Sequence, residues 1–172
     1  MNEDGISRRG FIRPARREPV LPIRRRPPGA LPEETFLARC TACGDCIKAC
    51  PHNAIHVLAE WVKPGTGTPV MVPDSRACHM CEGFPCAAAC GEGALAQPQG
   101  PWFLGTVSID IFTCLPFRGP ECGACAGLCP SGADALRLRR GRPEIDPERC
   151  VGCGLCIEAC PVKPSAIKLD PL

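Results

Sequence analysis

The sequence contains no tyrosine, two tryptophans, six phenylalanines and three histidines in 172 residues. Aromatics this sparse leave little for stacking on bases, and no nucleic-acid-binding motif is present, so nucleic acid is not an expected partner. No stretch approaches 18 consecutive apolar residues, the length at which a run reads as a membrane-spanning helix, so no transmembrane segment is expected. There is no P-loop, no G-x-G-x-x-G and no nucleophile-and-base motif, so a catalytic function is not expected either. Leucine, isoleucine, valine and phenylalanine are also thin past residue 30. A chain this poor in aliphatic residues needs something besides a hydrocarbon core to hold it together.

What it has instead is cysteine, 16 in all, falling into four sets of four with none left over. The fourth set is Cys150, Cys153, Cys156 and Cys160, followed by Pro161, in the spacing C-x2-C-x2-C-x3-C-P. This is the bacterial run for a [4Fe–4S] cluster. Three thiolates two residues apart can wrap one cubane, and the fourth points away to a neighbouring cluster. Gly152 and Gly154 are expected to relieve crowding where backbone passes close to the cluster. The first set, Cys40, Cys43, Cys46 and Cys50, has the same spacing and ends on Pro51. The second, Cys78, Cys81, Cys86 and Cys90, is spaced x2-x4-x3, and the third, Cys114, Cys122, Cys125 and Cys129, x7-x2-x3. A disulfide framework has no reason to repeat such spacings. Structural zinc sites pair two cysteines with a distant second pair rather than packing four into eleven residues. The expected cofactors are therefore four [4Fe–4S] clusters on all sixteen cysteines. The expected function is one-electron transfer to or from a redox protein partner. The apo chain should be largely unfolded, because cluster binding supplies the missing folding free energy.

The expected fold class is α+β: tandem bacterial-ferredoxin-like lobes with two [4Fe–4S] clusters each, behind a disordered basic arm. Residues 1–30 form that arm, with eight arginines (Arg8, Arg9, Arg13, Arg16, Arg17, Arg24, Arg25, Arg26) against three acids and with five prolines. Residues 31–39 read as a helix, 54–58, 70–72, 106–110 and 166–169 as strands, and 63–69 and 97–101 as turns. Ile47 and Ile157 should cover the clusters. His79 reads as exposed and idle, with tuning of a cluster potential as the alternative. The long gap after Cys114 is the least regular stretch and a candidate docking loop. The arginines from Arg137 to Arg149 read as a solvated face, with a docking patch as the alternative. Cluster thiolates point to a reducing compartment, the cytoplasm. Against this, Ser7-Arg8-Arg9-Gly10-Phe11-Ile12 matches a twin-arginine export box, which would place the protein in the periplasm. The residues that follow, Arg13 to Glu18, do not supply the apolar segment such a signal needs.

These residues together resemble the MauM/NapG and NapF group of ferredoxin-type proteins. The resemblance runs over nearly the whole chain. It rests on Ser7-Arg-Arg-Gly-Phe, on Arg26-Pro-Pro-Gly-Ala-Leu-Pro-Glu-Glu leading to Cys40, on the x2-x4-x3 second motif, on the x7 gap and on Cys160-Pro-Val-Lys-Pro-Ser-Ala-Ile. It implies a role in a nitrate-reductase-like or methylamine-type respiratory system, with a partner such as a molybdoenzyme or a membrane quinol oxidase. The NapF-like alternative is a cytoplasmic accessory factor for maturation of a molybdoenzyme. The wider likeness to four-cluster electron-transfer subunits of molybdopterin oxidoreductases implies a nested pairing. The 31–172 region would then form lobe one from 31–62 plus 141–172, and lobe two from 68–140. Cys160 would complete the site of Cys40, Cys43 and Cys46, and Cys50 that of Cys150, Cys153 and Cys156. Cys129 would join Cys78, Cys81 and Cys86, and Cys90 would join Cys114, Cys122 and Cys125. Sequential pairing, first motif with second and third with fourth, is the alternative.

Overall fold

The computed structural model describes residues 24–100, 102–130 and 133–170. The Ser7–Ile12 box and most of the basic arm lie outside the described residues.

The first element is α1 (Glu33–Arg39). Pro32 precedes it, Glu33 and Glu34 occupy its first turn and Arg39 its last, each where the helix dipole favours that charge. Its Phe36 is fully buried. A four-residue helix, α2 (Asp45–Lys48), carries Cys46. The hairpin β1 (Ile55–Val57) and β2 (Pro69–Met71) follows, with Ile55 opposite Met71. Helix α3 (Pro85–Ala88) carries Cys86. Then come β3 (Thr106–Ile109), α4 (Leu115–Arg118), the hairpin β4 (Leu136–Arg139) and β5 (Arg142–Ile145), α5 (Leu155–Glu158) and β6 (Ile167–Asp170). Strand β6 pairs antiparallel with β3, Val107 opposite Leu169. The helix at 31–39 and the strands at 54–58, 70–72, 106–110 and 166–169 thus appear within a residue or two of their expected bounds. Helix α4 and the β4–β5 hairpin were not expected.

Apolar packing divides the molecule into two consecutive lobes. Phe36, Ile55, Met71, Leu95 and Leu104 form one core together with cysteines of the first two motifs. Val107, Leu136, Ile157 and Ile167 form another, with Cys125, Cys129, Cys150 and Cys156 against it. A small third cluster holds Cys114, Cys160 and Ala166. The nested lobes implied by the resemblance are therefore corrected. Strand β6 returns to β3, not to β1, and lobe one does not include 141–172. Neighbouring motifs close shorter loops than distant ones, which costs less chain entropy. The near identity of the first and fourth motifs reflects copies of one unit, not contact between them.

The expectation of a disordered arm to residue 30 is also corrected, for residues 24–30. Arg26 is 6% exposed, and Pro27 and Pro28 are fully buried. Its guanidinium donates to both Glu33 carboxylate oxygens at 2.8 and 2.6 Å, and to Thr68 Oγ1 and the Pro69 carbonyl at 2.8 and 2.7 Å. It also lies 4.4 Å from the Phe36 ring centroid. One carboxylate, two neutral oxygens and a π-face together satisfy a buried cation, which like charges along the sequence conceal. The strip continues as Gly29–Leu31 beside 94–96, with Ala96 N–H donating to the Gly29 carbonyl at 2.6 Å. A Cβ on Gly29 would sit 1.9 Å from the Ala96 carbonyl oxygen, so only glycine fits there.

Candidate metal centres

In each of the first, second and fourth motifs the chain turns through a left-handed residue into a one-turn helix. That residue is Gly44 (φ 80°), Phe84 (φ 41°) or Gly154 (φ 88°). The turn folds the first three cysteines around one cavity. The helix then carries the fourth out of it. Cys40, Cys43, Cys46 and Cys90 line one cavity of about 340 Å³, here site A. Cys50, Cys78, Cys81 and Cys86 line a second of about 330 Å³, site B. Cys114, Cys122, Cys125 and Cys160 line a third of about 340 Å³, site D. Site C consists of Cys150, Cys153 and Cys156 with Cys129, which lies close enough to act electrostatically on all three. The structure thus brings all sixteen cysteines into four groups of three plus one. Fourth cysteines are exchanged between the first and second motifs and between the third and fourth. This grouping follows the sequential alternative and not the nested assignment of Cys50, Cys90, Cys129 and Cys160.

The fit to a cluster can be tested on these cavities. Sites A, B and D are alike, each a largely apolar hole lined by four cysteines. All sixteen thiols are free of disulfides. Among the described residues, no three His, Cys, Asp or Glu side chains converge on a point as ligands of a single ion do. The sulfurs of sites A, B and D line a hole instead, which suits a cage. Electrostatics agree. Burial, and then the thiolates of Cys40, Cys90, Cys43 and Cys86, push the Cys46 thiol up to about 11. Burial, followed by Cys153, Cys150, Cys125 and Cys129, pushes Cys156 up to about 12. Four anionic sulfurs around an apolar hole repel one another, and a cationic metal core reverses the sign.

Hydrogen bonds to sulfur add a regularity that spacing did not reveal. Each fourth cysteine accepts from the backbone where the chain re-enters extended structure. Ala54 N–H reaches Cys50 Sγ, Leu95 N–H reaches Cys90 Sγ and Leu136 N–H reaches Cys129 Sγ, each at 3.4 Å. At Cys160, burial opposes the thiolate. The Ser165 hydroxyl, the Ala166 and Val162 N–H groups and the charge of Lys163 outweigh it, so its pKa lies below the usual thiol value. Such donors favour charge on sulfur and tune a cluster's potential. His79 is exposed, yet it stacks on His52 with ring centroids 3.6 Å apart at the lip of site B. Burial, and then the charge of His52, hold it below the ordinary histidine value. Ile157 is 1% exposed and Ile47 half-buried, both against cysteine-bearing packing.

The lobes meet at sites B and C. Cys78 N–H donates to the Cys153 carbonyl at 2.8 Å, and Leu104 N–H to the Val151 carbonyl at 2.9 Å. Glu158 accepts from Ala77 N–H at 2.8 Å. A Cβ on Gly152 would lie 2.4 Å from the Gly105 carbonyl oxygen, and one on Gly154 would lie 2.6 Å from the Pro73 side chain. Their glycines are therefore required by the facing lobe as well as by positive φ. Arg25 completes the joint. Its carbonyl accepts from Met71 N–H at 2.8 Å, and its guanidinium donates to the Leu169 carbonyl.

Comparison with known proteins follows this geometry. The 4Fe-4S dicluster domain model matches residues 39–94 and again 118–163, one match in each lobe, with Cys114 just ahead of the second. The methylamine utilization ferredoxin-type protein MauM of Methylophilus methylotrophus is 38% identical, over 92% of this chain and 74% of its own length. The chain belongs to the MauM/NapG group of ferredoxin-type proteins. MauM of Paracoccus denitrificans is 37% identical over 97% of this chain and 79% of its own length. Ferredoxin-type protein NapG of Escherichia coli is 34% identical over 87% of this chain and 71% of its own length. As a member of this group, the chain is an iron–sulfur protein of electron transfer that binds 4Fe-4S clusters. Among the described residues, no helix is long and apolar enough to cross a membrane.

Proposed function

We propose that the chain relays single electrons through four [4Fe–4S] sites arranged in the row A, B, C, D. Cys40, Cys43, Cys46 and Cys90 hold the first. Cys50, Cys78, Cys81 and Cys86 hold the second, Cys129, Cys150, Cys153 and Cys156 the third, and Cys114, Cys122, Cys125 and Cys160 the fourth. Each cluster, when bound, gains or loses one electron at its sulfur-bridged irons. The protein's part is to hold the cages, keep water from them and place N–H donors on their sulfurs.

The observation that carries this reading is the joint between lobes. Cys46 lies within electrostatic reach of Cys86, Cys78 of Cys153, and Cys156 of Cys125. Every site thus adjoins the next, and the third and fourth motifs enter the row in reverse of chain order. An anaerobic preparation should hold about 16 Fe, at four per motif. Redox titration with EPR should show reversible uptake of several electrons with magnetic coupling between neighbours. A colourless, iron-free preparation, or thiols oxidised in pairs, overturns the reading.

The respiratory system is proposed as a methylamine-type or nitrate-reductase-like one, with a redox protein at either end of the row. Support comes from the methylamine utilization relatives, similar over nine-tenths of the chain. The accessory-factor role is not favoured. Cytoplasmic placement remains the proposal, tested by fractionation with a reporter fused after residue 30.

A further inference from the structure

Two ends of the row face outward, and they differ in charge. At site A, Cys43 is exposed beside Asp45, which pairs with Lys48 at 3.1 Å, and Glu92 lines the cavity. At site D the wall is built from Leu115 and Pro116 of α4 and Pro143 of β5. Directly outside that wall stands the tip of the β4–β5 hairpin. Arg139, Arg140, Arg142 and Glu144, with Phe117 of α4, line a broad open groove. The Arg142 guanidinium lies 5.2 Å from the Phe117 ring centroid, which joins the hairpin to α4. Arg118 on the same helix donates to the Phe112 carbonyl at 2.9 Å. Phe112 itself is 78% exposed, with Ile111 beside it at 49%. Glu144 offsets part of the charge, 3.6 Å from Arg139. Arg140 holds φ at +51° ahead of Gly141 at +75°. Hairpin turns that need positive φ at both positions favour Asn or Asp ahead of Gly. An arginine there accepts a steric cost and puts its cation at the outermost point.

We propose that this face, Arg118, Arg139, Arg140 and Arg142 around Phe112 and Phe117, docks an acidic redox protein at the site D end of the row. The proposal rests on the relay reading above. Its chemistry is a cationic rim around one exposed ring, Phe112, and one half-buried ring, Phe117, which fits an anionic patch with an apolar centre. Apart from Phe112, the residues of the face come from the two segments that frame site D, the seven-residue gap after Cys114 and the hairpin. A partner seated on it lies a single wall of side chains from the cavity. Opposite charge steers the encounter, and site A, where Lys48 pairs with Asp45 and Glu92 lines the mouth, has no matching row of arginines among the described residues.

The test uses the full, cluster-loaded protein reduced by dithionite, with three oxidants in turn. They are an acidic blue-copper protein, a basic c-type cytochrome and a small uncharged quinone. Each encounter with a protein oxidant moves one electron: the reduced relay loses one and copper(II) becomes copper(I), or haem iron(III) becomes iron(II). The rate with the copper protein should fall steeply as salt is added, and the rate with the quinone should not. Arg140→Glu with Arg142→Glu should lower the copper-protein rate at least about tenfold at low salt, within the range electrostatic steering supplies. The quinone rate and iron content should stay unchanged. Phe112→Ser alone, at an exposed ring that is not part of the site D lining, should weaken saturation with the copper protein while keeping its salt slope. A copper-protein rate indifferent to salt and to charge reversal overturns the docking face and leaves the relay standing. Failure to reduce even the quinone removes the relay, and the docking face with it.

Discussion

The two lobes hold the same kind of site with unequal amounts of protein. Around sites A and B, Phe36, Ile55, Met71, Leu95 and Leu104 pack as one continuous core. The Arg26–Glu33 pair and the Pro27–Pro28 strip close it from outside. Around sites C and D the apolar residues split into two small clusters, one of them little more than Cys114, Cys160 and Ala166. The outer strands there expose Leu138 and a row of arginines. Lobe one therefore has a scaffold apart from its sulfurs, and lobe two leans on its clusters for cohesion. Each lobe turns an aromatic ring outward, Trp61 in lobe one and Phe112 in lobe two, but the row of arginines on β4 and β5 belongs to lobe two.

Stripping iron and sulfide with a chelator is the most severe way to test that contrast. Both lobes should lose near-UV CD, since neither core is large enough alone. Lobe two should go first, so trypsin should cut after Arg137, Arg139 or Arg140 before it reaches Arg39 or Arg76. A native-like spectrum without metal, or the reverse order of cleavage, breaks the comparison.

Next in size comes the exchange of fourth cysteines. Cys43→Ala and Cys90→Ala each should remove one cluster, about four of about 16 Fe, and the double variant should remove no more. Cys43→Ala with Cys160→Ala should remove two. The nested arrangement demands the opposite result for the second pair, so iron analysis of these variants decides it directly.

Arg26→Ala should destabilise lobe one by about 3–5 kcal/mol, the cost of leaving a largely buried partner charge uncompensated. Denaturant midpoints followed at Trp61 and Trp102 would read it. Lysine should not rescue, because it cannot reach both Glu33 oxygens and the Phe36 face together. Arg25→Ala removes a charged hydrogen bond between lobes and should cost about 1.5–3 kcal/mol. Amide exchange should rise at β3 and β6 without loss of iron. Smallest is Arg76→Ala. Its ion pair with Glu158 spans 3.6 Å between partly exposed side chains, so a change of at most about 1 kcal/mol is expected. A larger shift would mean that the lobe joint depends on that pair more than on Cys78 and Cys153.

Much of this was legible in the residues. Cysteine spacing marks four sites, because three ligands in a tight loop are a local matter. Helix α1 is legible from Pro32, Glu33 and Arg39, and strands β1, β3 and β6 from short apolar alternation. The β4–β5 hairpin was hidden because Arg140-Gly141 is not a usual hairpin turn pair, and its arginines read as mere solvation. The clasp at Arg26 was hidden because its partners, Glu33, Thr68, Pro69 and Phe36, lie up to 43 residues away. The N–H donors to Cys50, Cys90 and Cys129 sit four, five and seven residues on, so no single offset announces them.

Local spacing, then, was enough to say what the sulfurs are for and that they come in fours. Which fourth cysteine completes which site, and the order in which the sites adjoin, belonged to the tertiary structure alone. The reason is that a one-turn helix aims its last cysteine away from its own loop. Where that cysteine lands depends on which motif packs alongside, and packing is decided by residues such as Phe36, Met71, Leu104 and Gly105 that no motif contains or explains.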